Sequence, residues 1–147
     1  MNIRPAGHAD LAAVTTIVEA AYAPYIPRMG KKPGPMLDDY QALVRSHDIW
    51  VAADSAGVAG LIVLLAGPDH LLLDNIAVAP DRHGQGVGKA LLRFADDEAR
   101  RRGYAEMQLY TNEMMTENVA LYARAGWTET GRGEQAGFRR VFFSKPV

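Results

Sequence analysis

Cysteine is absent from the 147 residues, which excludes disulfides, thiolate metal sites and cysteine nucleophiles. Neither sign of charge is in excess, since 16 Lys and Arg stand against 17 Asp and Glu. A nucleic-acid footprint, which needs clustered basic residues, gains no support from that balance. No apolar run approaches the roughly 20 residues of a membrane span, and Met1–Pro5 has no apolar signal-peptide region. A cytoplasmic protein with no membrane and no nucleic-acid partner is therefore expected. His8, His47, His70 and His83 show no metal-ligand spacing, so no metal is expected. Internal repeats and low-complexity segments are also lacking.

What remains is an ordinary globular composition, 48% hydrophobic and 22% charged, in a length that suits one domain over 1–147. Asn2–Arg4 has the character of a short strand. Leu11, Val14, Ile17, Val18 and Ala21 fall at helical spacing behind Asp10, a candidate cap. Four prolines and two glycines in Ala23–Pro35 predict an irregular loop, and Met36, Leu37, Tyr40, Leu43 and Val44 suggest a second helix. Ile49–Ala53 and Val58–Leu65 are β-rich runs joined by a turn at Asp54–Gly57. Leu71–Val78 is a nearly continuous apolar strand suited to a sheet covered on both faces. Leu91, Phe94, Ala95 and Ala99 give the next helix its apolar face, with Gly103 placed to end it. Glu106–Tyr110 reads as a strand, Glu117–Ala125 as a short helix closed by Gly126, and Trp127–Thr130 and Phe138–Phe143 as the last two strands. The order β-α-α-β-β-β-α-β-α-β-β predicts an α/β fold, a mixed sheet flanked by helices. In Asp96–Arg102, acid-first pairs at i,i+4 and a basic helix end predict a solvated face.

The densest signal lies between the central strand and the following helix. Gly84, Gly86 and Gly88 stand at alternate positions there, where glycine permits tight turns and close backbone approach to a ligand. Free N–H groups at a helix start, together with the helix dipole, favour a phosphate. Two familiar phosphate loops fail on spacing. Gly88-Lys89 is followed by Ala90, and position 83 is His, so the P-loop pattern is not met. In the dinucleotide fingerprint the third glycine would fall on Lys89 or Leu91.

The stretch His83-Gly84-Gln85-Gly86-Val87-Gly88 resembles instead the acetyl-CoA pyrophosphate loop of the GNAT superfamily of N-acyltransferases. That signature reads Gln/Arg-x-x-Gly-x-Gly/Ala, with His83 here in place of Gln or Arg. Asn118-Val-Ala-Leu-Tyr122-Ala-Arg-Ala-Gly126-Trp127 resembles the family's second signature, and the element order matches over essentially the whole chain. The resemblance implies a GNAT-like fold and acetyl-CoA as cosubstrate. It implies backbone contacts to pantetheine from Ile76 and Val78, with Ala77 between them, along a strand splayed from its neighbour. The N–H groups of His83, Gly84, Gln85, Gly86, Val87, Gly88 and Lys89 would hold the pyrophosphate. Asn118 or Asn112 would touch the cofactor.

Two catalytic roles follow from the resemblance. Tyr122 is the candidate general acid for the departing thiolate, since a phenol can donate to it. Asp74 is the first candidate to accept the amine's proton or bind the amine. Strand alternation would set it on one face with Ile76 and Val78. Glu113, Asp38 and Asp39 are weaker candidates. Tyr25, with Tyr22 and Tyr40, would line an acceptor pocket or pack helix on sheet. The Tyr22–Met36 loop and the Thr130–Gly137 connection would border that pocket. The implied reaction is direct acetyl transfer to a primary amine, of a small molecule or a peptide, in a ternary complex. Alternatives are a longer acyl group, a protein α-amine, or acyl-CoA binding without catalysis. Family habit suggests a homodimer.

Overall fold

The computed structural model describes all 147 residues. Seven strands form one sheet: β1 (Asn2–Pro5), β2 (Ile49–Asp54), β3 (Gly57–Ala66), β4 (Leu71–Val78), β5 (Glu106–Asn112), β6 (Thr128–Gln135) and β7 (Phe138–Pro146). Their order is β1-β2-β3-β4-β5-β7-β6, and every neighbouring pair is antiparallel except β4–β5. The helices are α1 (Leu11–Tyr22), the single turn α2 (Ile26–Met29), α3 (Tyr40–Arg45), α4 (Val87–Arg101) and α5 (Thr116–Arg124). The α/β order expected from the sequence is present, with α2 added inside the proline-rich segment. No helix is long and apolar enough to cross a membrane.

Strand alternation sorts the core into two layers. Trp50, Ile62, Leu64, Leu71, Leu73, Met107 and Leu109 pack with Leu91, Ala95 and Ala99 of α4. Ile49, Val51, Leu61, Val63 and Ala77 pack with Val14, Ile17 and Val18 of α1 and Tyr40 of α3. Both faces of the central strands are thus covered, as their continuous apolar runs require. Glycines in the left-handed region, at φ 82° for Gly103 and 94° for Gly126, follow the ends of α4 and α5. Beyond each, an N–H reaches back over the last turn: Tyr104 to Ala99 O, and Trp127 to Tyr122 O.

Several expectations are corrected. The Asp10 carboxylate does not cap α1; it accepts from the Gly7 N–H at 2.8 Å and pairs with Arg4. The helix expected from Met36 is split. A 3₁₀ turn covers Gly34–Leu37, the chain is extended at Asp38, and Asp39 starts α3 by accepting from the Ala42 N–H. Thr130–Gly137 is not a connection but most of β6 and the β6–β7 turn. Of the acid-first pairs, Glu98–Arg102 forms. Arg100 and Arg101 take acids three residues back, and Asp96 turns to Lys145 of β7.

The correction with most bearing on function lies in β4. Its register against β3 runs Val63↔Asn75 and then Leu64↔Leu73, so Asp74 is an extra residue in a β-bulge. The bulge inverts the alternation. Leu71 and Leu73 face α4, and beyond the bulge Ile76 and Val78 take that side while Ala77 faces α1. Asp74 opens with residues of α3 on the other face, so it does not share a face with Ile76 and Val78.

Candidate active site

β4 and β5 pair only over Leu71–Leu73 and Met107–Leu109. Beyond the bulge the two strands part, and the gap between them is the centre of the site. Ladder parity decides which backbone groups face it. The Ala79 N–H donates to Ala59 O of β3 at 2.8 Å, so Ala77 shares that orientation and Ile76 and Val78 turn their N–H and C=O groups toward the opening. Ile76 O already accepts from the Tyr22 hydroxyl at 3.0 Å, and a carbonyl has a second lone pair to offer.

On the α4 side the gap widens into a cleft of about 670 Å³, within the range of small-molecule sites. Ile76, Ala77 and Val78 form one wall, and His83, Gly84, Gly86, Val87, Gly88 and Lys89 form the end. Gly84 and Gly86 sit at φ 79° and 80°, where a side chain would be strained. The first bond of α4 runs from the Ala90 N–H to Gly86 O. The N–H groups of Val87, Gly88 and Lys89 therefore precede the ladder and are open to an anion. The Val87 side chain is buried in the core, leaving only its backbone for a ligand.

Arg82, which the sequence reading passed over, braces this loop. Its guanidinium pairs with Asp54 at the end of β2 and donates to Gln85 Oε1 at 2.9 Å. The Gln85 side chain is thereby turned out of the cleft lining.

Toward α1 and the Pro33–Pro35 segment the gap narrows to a cavity of about 60 Å³ lined by Asp74, Asn75, Tyr110, Tyr122, Asn118, Arg140 and others. Tyr122 and Asn118 line both spaces and stand at the junction. Tyr122 is held edge-on to Trp127 and tilted against Phe143. Burial alone pushes its phenol above the ordinary range, so it is a neutral donor at neutral pH. Asn118 Nδ2 lies 3.6 Å from Met115 Sδ. The Asn112 Oδ1 instead accepts from the Met114 N–H at 2.9 Å, which leaves Asn118 the freer of the two asparagines.

Asp74 Oδ1 accepts from the Tyr110 hydroxyl at 2.7 Å. Burial first, and that bond next, push the Tyr110 phenol up, so it stays a donor to the carboxylate. Beside it, Asn75 knits three elements together. Its Oδ1 accepts from Tyr22 at 2.5 Å, its Nδ2 donates to Tyr40 at 2.9 Å, and Tyr40 donates to Pro35 O. Tyr22 lines the cavity, whereas Tyr40 supports it from behind.

Tyr25 stays outside this wall. It donates to Glu117 Oε2 at 3.2 Å, in a cluster with Arg28. Glu113 pairs with Arg139, and Asp39 is spent on its cap. Asp38 sits exposed in the opening beside α3 that Asp74 also lines, its carboxyl held up by partial desolvation and by Asp74 nearby. Tyr110, Asn75 and Arg140 were not singled out from the sequence. No local pattern marks them, because sheet order and register bring them together.

Residues 45–129 match the model of the acetyltransferase (GNAT) domain family. N-acetyltransferase family 8 member 2 of Rattus norvegicus is 30% identical over 103 residues, which cover 65% of this chain and 46% of that protein. The chain spans under half the length of the curated relatives it matches. A ribosomal-protein-alanine N-acetyltransferase from Brucella melitensis superposes over 100% of both chains with a TM-score of 0.75 at 24% identity. A PaiA N-acetyltransferase from Thermoplasma acidophilum, solved in complex with coenzyme A, covers 99% of this chain and 98% of its own at TM-score 0.75 and 16% identity. These two likenesses show the fold.

Proposed function

The chain belongs to the GNAT acetyltransferase family, and we propose that it transfers an acetyl group from acetyl-CoA to the primary amine of a small molecule, both held at once. The observation that carries this reading is the gap between β4 and β5. It joins a long cleft ending on free N–H groups to a narrow polar cavity, with one buried phenol at the junction. The residues present fit the cofactor. Val87, Gly88 and Lys89 offer N–H groups to a pyrophosphate, and the unpaired edge of β4 at Ile76 and Val78 offers a strand-like partner to pantetheine amides.

Bound acetyl-CoA supplies an activated thioester. Asp74 receives the acceptor's ammonium and takes its proton, directly or through a water, as the amine attacks. Tyr110 holds one oxygen of that carboxylate and leaves the other for the acceptor. Tyr122 gives a proton or a hydrogen bond to the leaving sulfur. A free N–H at Ile76 or Val78 faces the developing oxyanion.

A small acceptor is favoured over a protein α-amine by the segment beside the cavity. Pro33, Gly34 and Pro35 line it. Just ahead of that segment, Arg28 pairs with Glu117 of α5 and Lys31 donates to Gly137 O at the β6–β7 turn. A peptide would have to displace these ties to reach the cavity. The narrow cavity likewise suits acetyl better than a long acyl chain.

Isothermal titration with acetyl-CoA, CoA and adenosine diphosphate tests the cofactor assignment. Tight binding of the first two and weak binding of the third is expected. Failure of both CoA species to bind would remove the transferase reading.

A further inference from the structure

Eight of the arginines end on a carboxylate. Arg82, in the cofactor cleft, is one of them. Arg140, which lines the inner cavity, is not. Register places it opposite Asn112, with Phe142 opposite Tyr110, so Arg140 and Tyr110 are diagonal neighbours on one face. Its guanidinium lies 3.9 Å from the centre of the Tyr110 ring and 5.7 Å from that of Phe138, and one nitrogen donates to Gln135 at 2.6 Å. A cation over aromatic faces is held in place without being neutralised. Its remaining donors keep the fork geometry that fits a carboxylate.

The hydroxyl of the same tyrosine is bonded to Asp74. A carboxylate and an unpaired guanidinium are therefore fixed about one phenol apart, and they form no ion pair with each other. Asp38, exposed on the far side of Asp74, lies near both charges and forms no ion pair with Arg140. The neighbouring Arg139 differs, being exposed and paired with Glu113 outside the cavity.

We propose that the acceptor is a zwitterion of the free amino-acid type, its ammonium on Asp74 and its carboxylate on Arg140. This rests on the acetyl-transfer reading and narrows it to amines that carry a carboxylate close by. A peptide N-terminus or a simple alkylamine offers Arg140 no anion. A diamine would set a second cation against it.

The test compares matched acceptors with purified protein and acetyl-CoA, following thiol release. Small, aliphatic and aromatic amino acids are each assayed beside their amide and their decarboxylated amine. At least one amino acid should exceed both partners tenfold or more in kcat/KM. Arg140→Met should collapse that ratio toward one, mainly through the amino acid's KM, while Arg139→Met keeps it. Equal or better turnover of amides, amines or a dipeptide overturns the assignment, as does a ratio that survives Arg140→Met. Titration of the same samples with acetyl-CoA separates the two levels. Binding without amino-acid preference fells this inference alone, and absence of binding fells the transferase reading beneath it.

Discussion

At the scale of single residues, Tyr122 is distinguished by what its hydroxyl leaves undone. Its ring is packed on Trp127 and Phe143, while the residue lines both the cleft and the cavity and its hydroxyl makes no hydrogen bond within the protein. A phenol kept for packing alone would lose nothing as phenylalanine, and a buried one kept for structure would be hydrogen-bonded. Tyr122→Phe should therefore leave the melting temperature and acetyl-CoA affinity almost unchanged and lower kcat by about 100-fold, the low end of general acid contributions. Thermal melts, titration and steady-state rates on one preparation check this, and an unchanged kcat would return Tyr122 to packing. Because burial raises its pKa, the phenol stays protonated through about pH 10, the ordinary value. Its ionisation should place no alkaline limb on the rate below that pH.

At the scale of elements, α4 can lie close on the sheet because position 60 has no side chain. A Cβ on Gly60 would stand 2.8 Å from Ala77 O, 3.0 Å from Val87 and 3.2 Å from Leu91. The first obstacle is backbone of β4 and the other two belong to α4. Gly60→Ala should destabilise the fold by about 1–3 kcal/mol, the usual cost of overpacking, and should weaken CoA binding because the helix start moves off β4. Denaturant midpoints and titration read both effects, and a variant as stable as the parent would show that α4 has slack. This contact was not visible in the sequence, where Gly60 is one small residue inside a β-rich run. The limits of β4, by contrast, were legible, since its apolar run is bounded by loop-forming residues. So was the glycine loop, a local pattern with a local cause. The bulge at Asp74 was not, because it is a property of two strands in register. Asp74 and Tyr122 were singled out from the sequence through the family resemblance, Asp74 on a shared face with Ile76 and Val78 that the bulge removes. Tyr110, Asn75 and Arg140 needed the β4-β5-β7 order before they could be seen as neighbours.

At the scale of the whole molecule, the site and the core share their tyrosines, and this couples stability to alkaline pH. Tyr22, Tyr40, Tyr110 and Tyr122 come from α1, α3, β5 and α5, and burial is the first cause that raises the pKa of each. A phenol with a higher pKa folded than unfolded keeps its proton longer in the folded state. Below about pH 10 both states are protonated and the folded state bears no penalty. Above it the unfolded chain loses these protons first, binds fewer than the folded protein, and is favoured as pH rises. Stability should therefore hold level up to about pH 10 and fall steeply beyond. Phenolate absorbance should lag in the native protein, against the same chain in denaturant, and catch up only as the fold is lost. Tyr22 and Tyr40 meet on Asn75, and Tyr110 holds Asp74. Loss of the bulge geometry, of acetyl-CoA binding and of far-ultraviolet dichroism should accordingly come in one transition. Native and denatured titration curves that coincide would mean that these four phenols reach water without unfolding, and that the cavity opens independently of the core beneath it.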